Sequence, residues 1–232
     1  MADIHLLEMQ NTQETTQETQ ARRRVLIAGA SGLVGGYLLQ ALLADATVAE
    51  VHALCRSPLR QTDSRLIAHL VDFAQLPELP FVDEVYLALG TTIKQAGSQA
   101  AFRAVDHDAN LAVAKAALLA GATRIGLVSA MGADAASRVF YNRIKGELEE
   151  ALAALDTQAL VIARPSLLLG DRNALGQPAR RGEAVSQCIG AWIGALLPAN
   201  YRPIEACKVA AALLTALPQA RGRVVLLSGQ MQ

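Results

Sequence analysis

Short apolar runs alternate along this chain with longer segments whose apolar residues recur every three or four positions. Val25–Ala28 is such a run, and it suits a strand buried on both faces. Leu33–Leu43 follows, with Leu38, Leu39, Leu42 and Leu43 on one side of a helix. Val48–Cys55, Leu66–Val71 and Glu84–Leu89 read as further strands. Ala100–Ala120 reads as one long helix closed by Gly121. Arg124–Ser129 is a fifth strand, Arg138–Leu155 a helix and Gln158–Ala163 a sixth strand. Two helices, over about 183–197 and 205–217, precede a last strand at Val224–Leu227. This alternation predicts an α/β fold, a doubly wound parallel sheet in a single domain spanning 22–232. Residues 1–21 are expected to be a mobile polar tail, because QNTQETTQETQ carries neither apolar residues nor periodicity. The one sizeable irregular stretch, 170–205, is expected to be a substrate-side insertion, since such insertions lie beyond the carboxyl ends of the strands.

Between the first strand and the first helix stands GASGLVGG, in which Gly29, Gly32 and Gly35 form GxxGxxG. Gly29 permits a sharp turn off the strand. The missing side chain of Gly32 lets a pyrophosphate approach the backbone, and Gly35 lets the helix pack close to the sheet. The helix N-terminus then offers the backbone N–H groups around Ser31, Leu33 and Val34 to phosphate. The bland alternative, a glycine turn with no ligand, is disfavoured by its place after an apolar run and before a helical one. The second strand is followed by Arg56, with no acid until Asp63. An acid there would accept from a ribose 2′-hydroxyl, whereas a guanidinium pairs with a 2′-phosphate. NADP is therefore favoured over NAD, the alternative being that Arg56 is a solvated charge.

Tyr141 and Lys145 stand four apart in a helical stretch, so their side chains share a face. An ammonium beside a phenol stabilises the phenolate and tunes the group for proton transfer. The same ammonium can hold cofactor ribose hydroxyls. Ser129 ends the fifth strand, where its hydroxyl either bonds a substrate carbonyl or caps the following turn.

The glycine turn, the serine and the tyrosine–lysine pair together resemble the short-chain dehydrogenase/reductase superfamily. ALGTT (88–92), VSAMGAD (128–134), YNRIKGELE (141–149) and RPSLLLGDR (164–172) are similar to the atypical branch that includes the Tat-interacting oxidoreductase. The resemblance covers 24–228. It implies a single Rossmann domain, bound NADPH, and a catalytic set of Ser129, Tyr141 and Lys145. It also implies that Asp72 and Phe73 contact adenine and that Leu89 and Gly90 line the cofactor. The segment at Arg164 passes over the nicotinamide in related proteins; alternatively Pro165 only ends the strand and Arg164 pairs with a surface acid. Many relatives have Asn at the position of Asp106, so this chain departs from the pattern there. Asp106, His107 and Asp108 are read as solvated charges.

Composition narrows the partners. The chain is 52% hydrophobic and 18% charged, which fits a globular protein. Lys plus Arg and Asp plus Glu are both 21, which removes the basic footprint of a nucleic-acid binder. Cys55, Cys188 and Cys207 form no CxxC pair and HExxH is absent, so no disulfide framework or metal site is expected. No secretory signal and no transmembrane segment are read, and the cytoplasm is the expected location. The helix at 184–197 is nearly apolar all round, which suits burial, a pocket cover or a homodimer contact. These features lead to an NADP-dependent oxidoreductase acting on a small, largely apolar carbonyl or alcohol. The rivals are an NADP(H)-binding redox-sensing regulator with little turnover and, third, a nucleotide-sugar epimerase-like enzyme.

Overall fold

The computed structural model of the protein describes residues 22–170 and 198–232. In chain order the elements begin β1 (Arg23–Ala28), α1 (Leu33–Ala44), β2 (Val48–Cys55), β3 (Leu66–Leu70) and β4 (Glu84–Leu87). Next come α2 (Ile93–Ala96), α3 (Gln99–Arg103), a π-helical turn (Ala104–Ala109) and α4 (Asn110–Leu119). β5 (Arg124–Val128), α5 (Phe140–Ala153), β6 (Ala159–Arg164) and β7 (Leu168–Leu169) follow. The chain closes with β8 (Ile204–Glu205), α6 (Ala206–Ala216) and β9 (Gly222–Leu227).

Seven strands form one parallel sheet in the order β3-β2-β1-β4-β5-β6-β9. This is the α/β doubly wound, Rossmann-like architecture that the alternation predicts. Strand residues point alternately to the two faces, and helices cover both. Val25 and Ile27 pack with Leu38 and Leu42 of α1 and with Val209 and Leu213 of α6. Leu26 and Ala28 pack with Val113 and Ala117 of α4 and with Leu148 and Leu152 of α5. The connections leave β1 in one direction toward β2 and in the other toward β4. The carboxyl ends of β1 and β4 are therefore the switch point at which a crevice opens.

At that point Gly29 turns the chain with φ +96°, a conformation L side chains rarely adopt. A Cβ on Gly29 would stand 2.4 Å from the Ala88 carbonyl oxygen, and one on Gly35 would stand 2.0 Å from the Gly29 oxygen. The turn, the first helix and the end of β4 are in backbone contact because both side chains are missing.

The predicted helix over 100–120 is an unbroken helical run over 99–119, but its pitch is not uniform. The pitch widens to the π-helical turn at Ala104–Ala109, and the buried Asn110 amide supports the change. Asn110 Nδ2 donates to the carbonyls of Val105, Asp106 and Leu89, each at 3.2 Å. β7 and β8, a parallel pair of two residues each, had no signal in the sequence. The polar tail, the helix expected at 183–197 and most of the 170–205 insertion lie outside the described residues. Among the described residues no helix is long and apolar enough to cross a membrane.

His52 on β2 and His69 on β3 meet side chain to side chain, with Nδ1 and Nε2 3.0 Å apart. Burial, and then the neighbouring His52, push the His69 pKa below its ordinary value. Below about pH 6.5 the unfolded chain thus binds a proton that folded His69 resists, so stability falls as pH falls through that range. The melting temperature is expected to drop between about pH 7.5 and pH 5.5 in the wild type, and to drop less in His69→Gln. Equal drops would assign the pH dependence to other groups. Gly29→Ala combines a disfavoured φ with a backbone clash, and should lower stability by at least about 2 kcal/mol in a denaturant titration.

Candidate active site

The crevice at the switch point is a cavity of about 530 Å³. Its floor is the glycine turn, with Gly29, Ser31 and Gly32 lining it. The N-cap of α1 is Gly32, a residue without a side chain, and the first turn of the helix carries no acid. The positive end of the helix dipole therefore points at this space without a carboxylate of its own first turn to neutralise it.

The far wall comes from the ends of the next three strands. Cys55 and Arg56 follow from β2, Asp72 and Phe73 come after β3, and Leu89 and Gly90 come after β4. Asp63, the first acid after β2, is turned away onto Arg65, accepting from its backbone N–H at 2.8 Å. Arg56 is exposed at the rim, and no carboxylate stands at the end of β2. The buried Cys55 packs there as a small apolar group, and burial raises its thiol pKa, which keeps it a weak nucleophile. Of the predicted cofactor contacts, Leu33, Val34, Gly35, Lys145 and Arg164 are not among the lining residues. Leu33 and Val34 are buried in the core instead, and Gly35 forms the backbone contact under the turn.

The π-helical turn closes the cavity on its remaining side through Val105, Asp108 and Ala109, with Ala112 of α4 beyond them. The sequence reading placed Asp106 and His107 in solvent, and the structure corrects this. Both are buried. His107 Nδ1 lies 2.7 Å from Asp108. Asp106 Oδ1 lies 2.8 Å from Lys145 Nζ, and its Oδ2 accepts the Thr91 backbone N–H at 2.8 Å. The signal available was electrostatic. The buried side of α5 carries Lys145 and Glu149, and with Glu149 taken by Ser129 and Arg164 the buried ammonium requires another counter-ion, which Asp106 of the neighbouring π-helical turn supplies. Tyr141, one turn before Lys145, is half-buried and packs against Phe102 of α3 with ring centroids 5.5 Å apart.

Ser129 and Arg164 both close on one acid, Glu149, which is buried and not the surface acid anticipated for Arg164. The Ser129 hydroxyl donates to Glu149 Oε1 at 2.5 Å. Arg164 closes on the same carboxylate with Nε at 3.0 Å and Nη2 at 2.5 Å. That hydrogen-bonded pairing also raises the guanidinium pKa. Arg223 reaches the same oxygen at 3.4 Å. Glu149 is buried in α5, so it draws the donors at the ends of β5 and β6 onto itself. The roles expected of them, orienting a substrate carbonyl for Ser129 and lying over a nicotinamide for Arg164, belong to the proposed function, and in this structure both groups are hydrogen-bonded to Glu149.

No protein-family model matches the chain. It is similar to solved structures in fold. The structure of MoeE5 in complex with UDP-glucose and NAD superposes with a TM-score of 0.67 at 20% identity, covering 88% of this chain and 75% of that one. The PhqB reductase domain from Penicillium fellutanum superposes with a TM-score of 0.60 at 18% identity, covering 97% and 73%. In sequence the chain is 34% identical over 180 residues to the protein fmp52, mitochondrial, of Emericella nidulans, covering 73% of this chain and 76% of that protein. Relatives at 32 to 37% identity carry mitochondrial names, which overturns the expected cytoplasmic location. That expectation rested on the lack of a secretory signal, which does not separate the cytoplasm from an organelle. With this identity spread over three quarters of both proteins, the chain belongs to the FMP52 family.

Proposed function

We propose that the protein is an NADP-dependent oxidoreductase of the short-chain type that interconverts a carbonyl and an alcohol. The observation that carries this reading is the cavity itself. It joins a glycine turn that no Cβ could enter, a helix N-terminus whose first turn carries no acid, and Arg56 where an NAD enzyme would place an acid. The chemistry of this lining fits a dinucleotide. The backbone N–H groups suit a pyrophosphate, Asp72 and Phe73 suit an adenine, and Arg56 suits a 2′-phosphate. The similarity of GASGLVGG and RPSLLLGDR to the atypical branch with the Tat-interacting oxidoreductase supports the same reading. The nicotinamide, when bound, supplies or accepts the hydride. Tyr141 gives its hydroxyl proton to the carbonyl oxygen as that oxygen gains charge, and Lys145 on the same helix face stabilises the phenolate left behind. A mitochondrial location is carried over from the relatives as part of this proposal.

One observation favours a second reading, a redox-sensing regulator with little turnover. The serine expected to orient the substrate is held by Glu149, and the lysine is held by Asp106. The MoeE5 complex with UDP-glucose and NAD keeps a sugar-nucleotide substrate as a third arm for the assay.

NADPH is expected to bind more tightly than NADH. Arg56→Ala should weaken NADPH by about 1.5 kcal/mol, roughly tenfold in Kd, and leave NADH nearly unchanged. Equal affinities in the wild type would remove the NADP assignment. A scan of aldehydes, ketones, quinones and UDP-sugars should find a carbonyl reduced with oxidation of NADPH. Tyr141→Phe should abolish that turnover and keep cofactor affinity, whereas Lys145→Ala should damage both. Turnover surviving in Tyr141→Phe would discard its role as proton donor, and a scan with no turnover at all would favour the regulator.

A further inference from the structure

His52 and His69 lie outside the cavity, on the last two strands at one side of the sheet. The parallel register sets His52 against Ile67 and His69 against Leu54. Both imidazoles therefore stand on one face, diagonally across β2 and the edge strand β3. The diagonal brings His52 Nδ1 to 3.0 Å from His69 Nε2. The other nitrogen of His52, Nε2, lies 3.3 Å from Glu50 Oε2, and Arg24 Nε lies 3.5 Å from the same oxygen. His52 is buried, His69 half-buried, and Glu50 reaches solvent.

The donors and acceptors of this row fix where the lone pairs point. A carboxylate only accepts, so the single N–H of a neutral His52 sits on Nε2, facing Glu50. Nδ1 then keeps its lone pair, and that lone pair faces His69. A carboxylate behind one ring nitrogen, with the other nitrogen free, is the arrangement that orients a metal-ligating histidine. His69 matches it by carrying its N–H on Nδ1, which turns the Nε2 lone pair to the same point. The ring changes tautomer and releases no proton. Burial, with His52 beside it, favours the neutral form of His69, and the neutral imidazole is the form that ligates. Two nitrogens on a tetrahedral zinc, each about 2.0–2.1 Å from it, stand about 3.3 Å apart. From the observed 3.0 Å the rings need to part by only about 0.3 Å. Among the described residues no group of three or more ligating side chains comes together, so the protein supplies two ligands and water fills the other positions.

We propose that His52 and His69 bind a divalent transition-metal ion of the class that imidazole suits, zinc, nickel or copper, through Nδ1 and Nε2, with Glu50 orienting His52 from behind. An ion held there joins β2 to β3. These strands lead into Arg56 and into Asp72 and Phe73, which line the cavity, so the site fastens the edge of the sheet from which that wall extends. NADPH binding and turnover test the cavity, and metal uptake at the histidines neither needs nor decides them.

The test is a Zn2+ titration of the untagged full chain, stripped with a chelator beforehand and followed by calorimetry at about pH 7.5. One Zn2+ should bind saturably. His52→Gln and His69→Gln should each weaken the uptake at least about tenfold, and Glu50→Gln should weaken it about tenfold. At about pH 5.5 uptake by the wild type should fall, because protons compete for the same lone pairs. The chain has four histidines, and His5→Gln should leave the affinity unchanged, as should Cys207→Ser. No saturable uptake in the wild type, or undiminished uptake in His69→Gln, would overturn the proposal. A tenfold loss in His5→Gln or Cys207→Ser would assign the ion to those donors and overturn it equally. His69 is half-buried on an edge strand, so its variant decides where the buried His52→Gln does not fold. Full affinity in Glu50→Gln would overturn the part given to Glu50.

Discussion

The cleft exists because two chain segments approach each other with no side chain between them. The β1 turn at Gly29 lies against the carbonyl of Ala88 at the end of β4, and the first turn of α1 lies against Gly29 through Gly35. Every other feature of the candidate site is referred to this contact. It sets where the helix N-terminus points and how far the loops after β2, β3 and β4 stand from it. A larger residue at either glycine would push α1 off the sheet, and the wall formed by Leu89 and Gly90 would move with it.

Two buried carboxylates organise the rest, and they do opposite things. Glu149 gathers Ser129 and Arg164 at the ends of β5 and β6, together with Arg223 of β9, and so removes polar groups from the space above the strands. Asp106 gathers Lys145 and Thr91 and so connects that space to the cavity. In both cases an interior acid is offset by several donors at once, the arrangement under which a buried charge is tolerated.

The sheet and most helices were legible in the sequence because each follows from periodicity, which is a local property. Val25–Ala28, Val48–Cys55 and the glycine turn needed nothing beyond their own residues and neighbours. The direction of a side chain at a strand end was not legible in the same way. Ser129 has the right type and place for a catalytic hydroxyl, yet its orientation depends on Glu149, twenty residues later in another element. Asp106 was misread for the same reason, since its burial is decided by Lys145 across a helix–helix contact. The π-helical turn had no signal in composition, because what supports it is the Asn110 amide reaching carbonyls within the turn and in the loop before it.

That turn has a consequence for how the chain tolerates change in length. A π-helical turn holds one residue more than the α-helical pitch, so the residues on either side of it are out of phase by about 100°. Before and within it, Phe102 meets the core and Val105 meets the cavity. After it, Val113 and Ala117 seat α4 on the sheet. Loss of a single residue between 104 and 109 would restore a regular helix and rotate one of these sets off its surface. In this stretch the spacing of residues is therefore constrained more tightly than their identity. Substitutions are felt one at a time, but a change of length moves the cavity wall relative to the core.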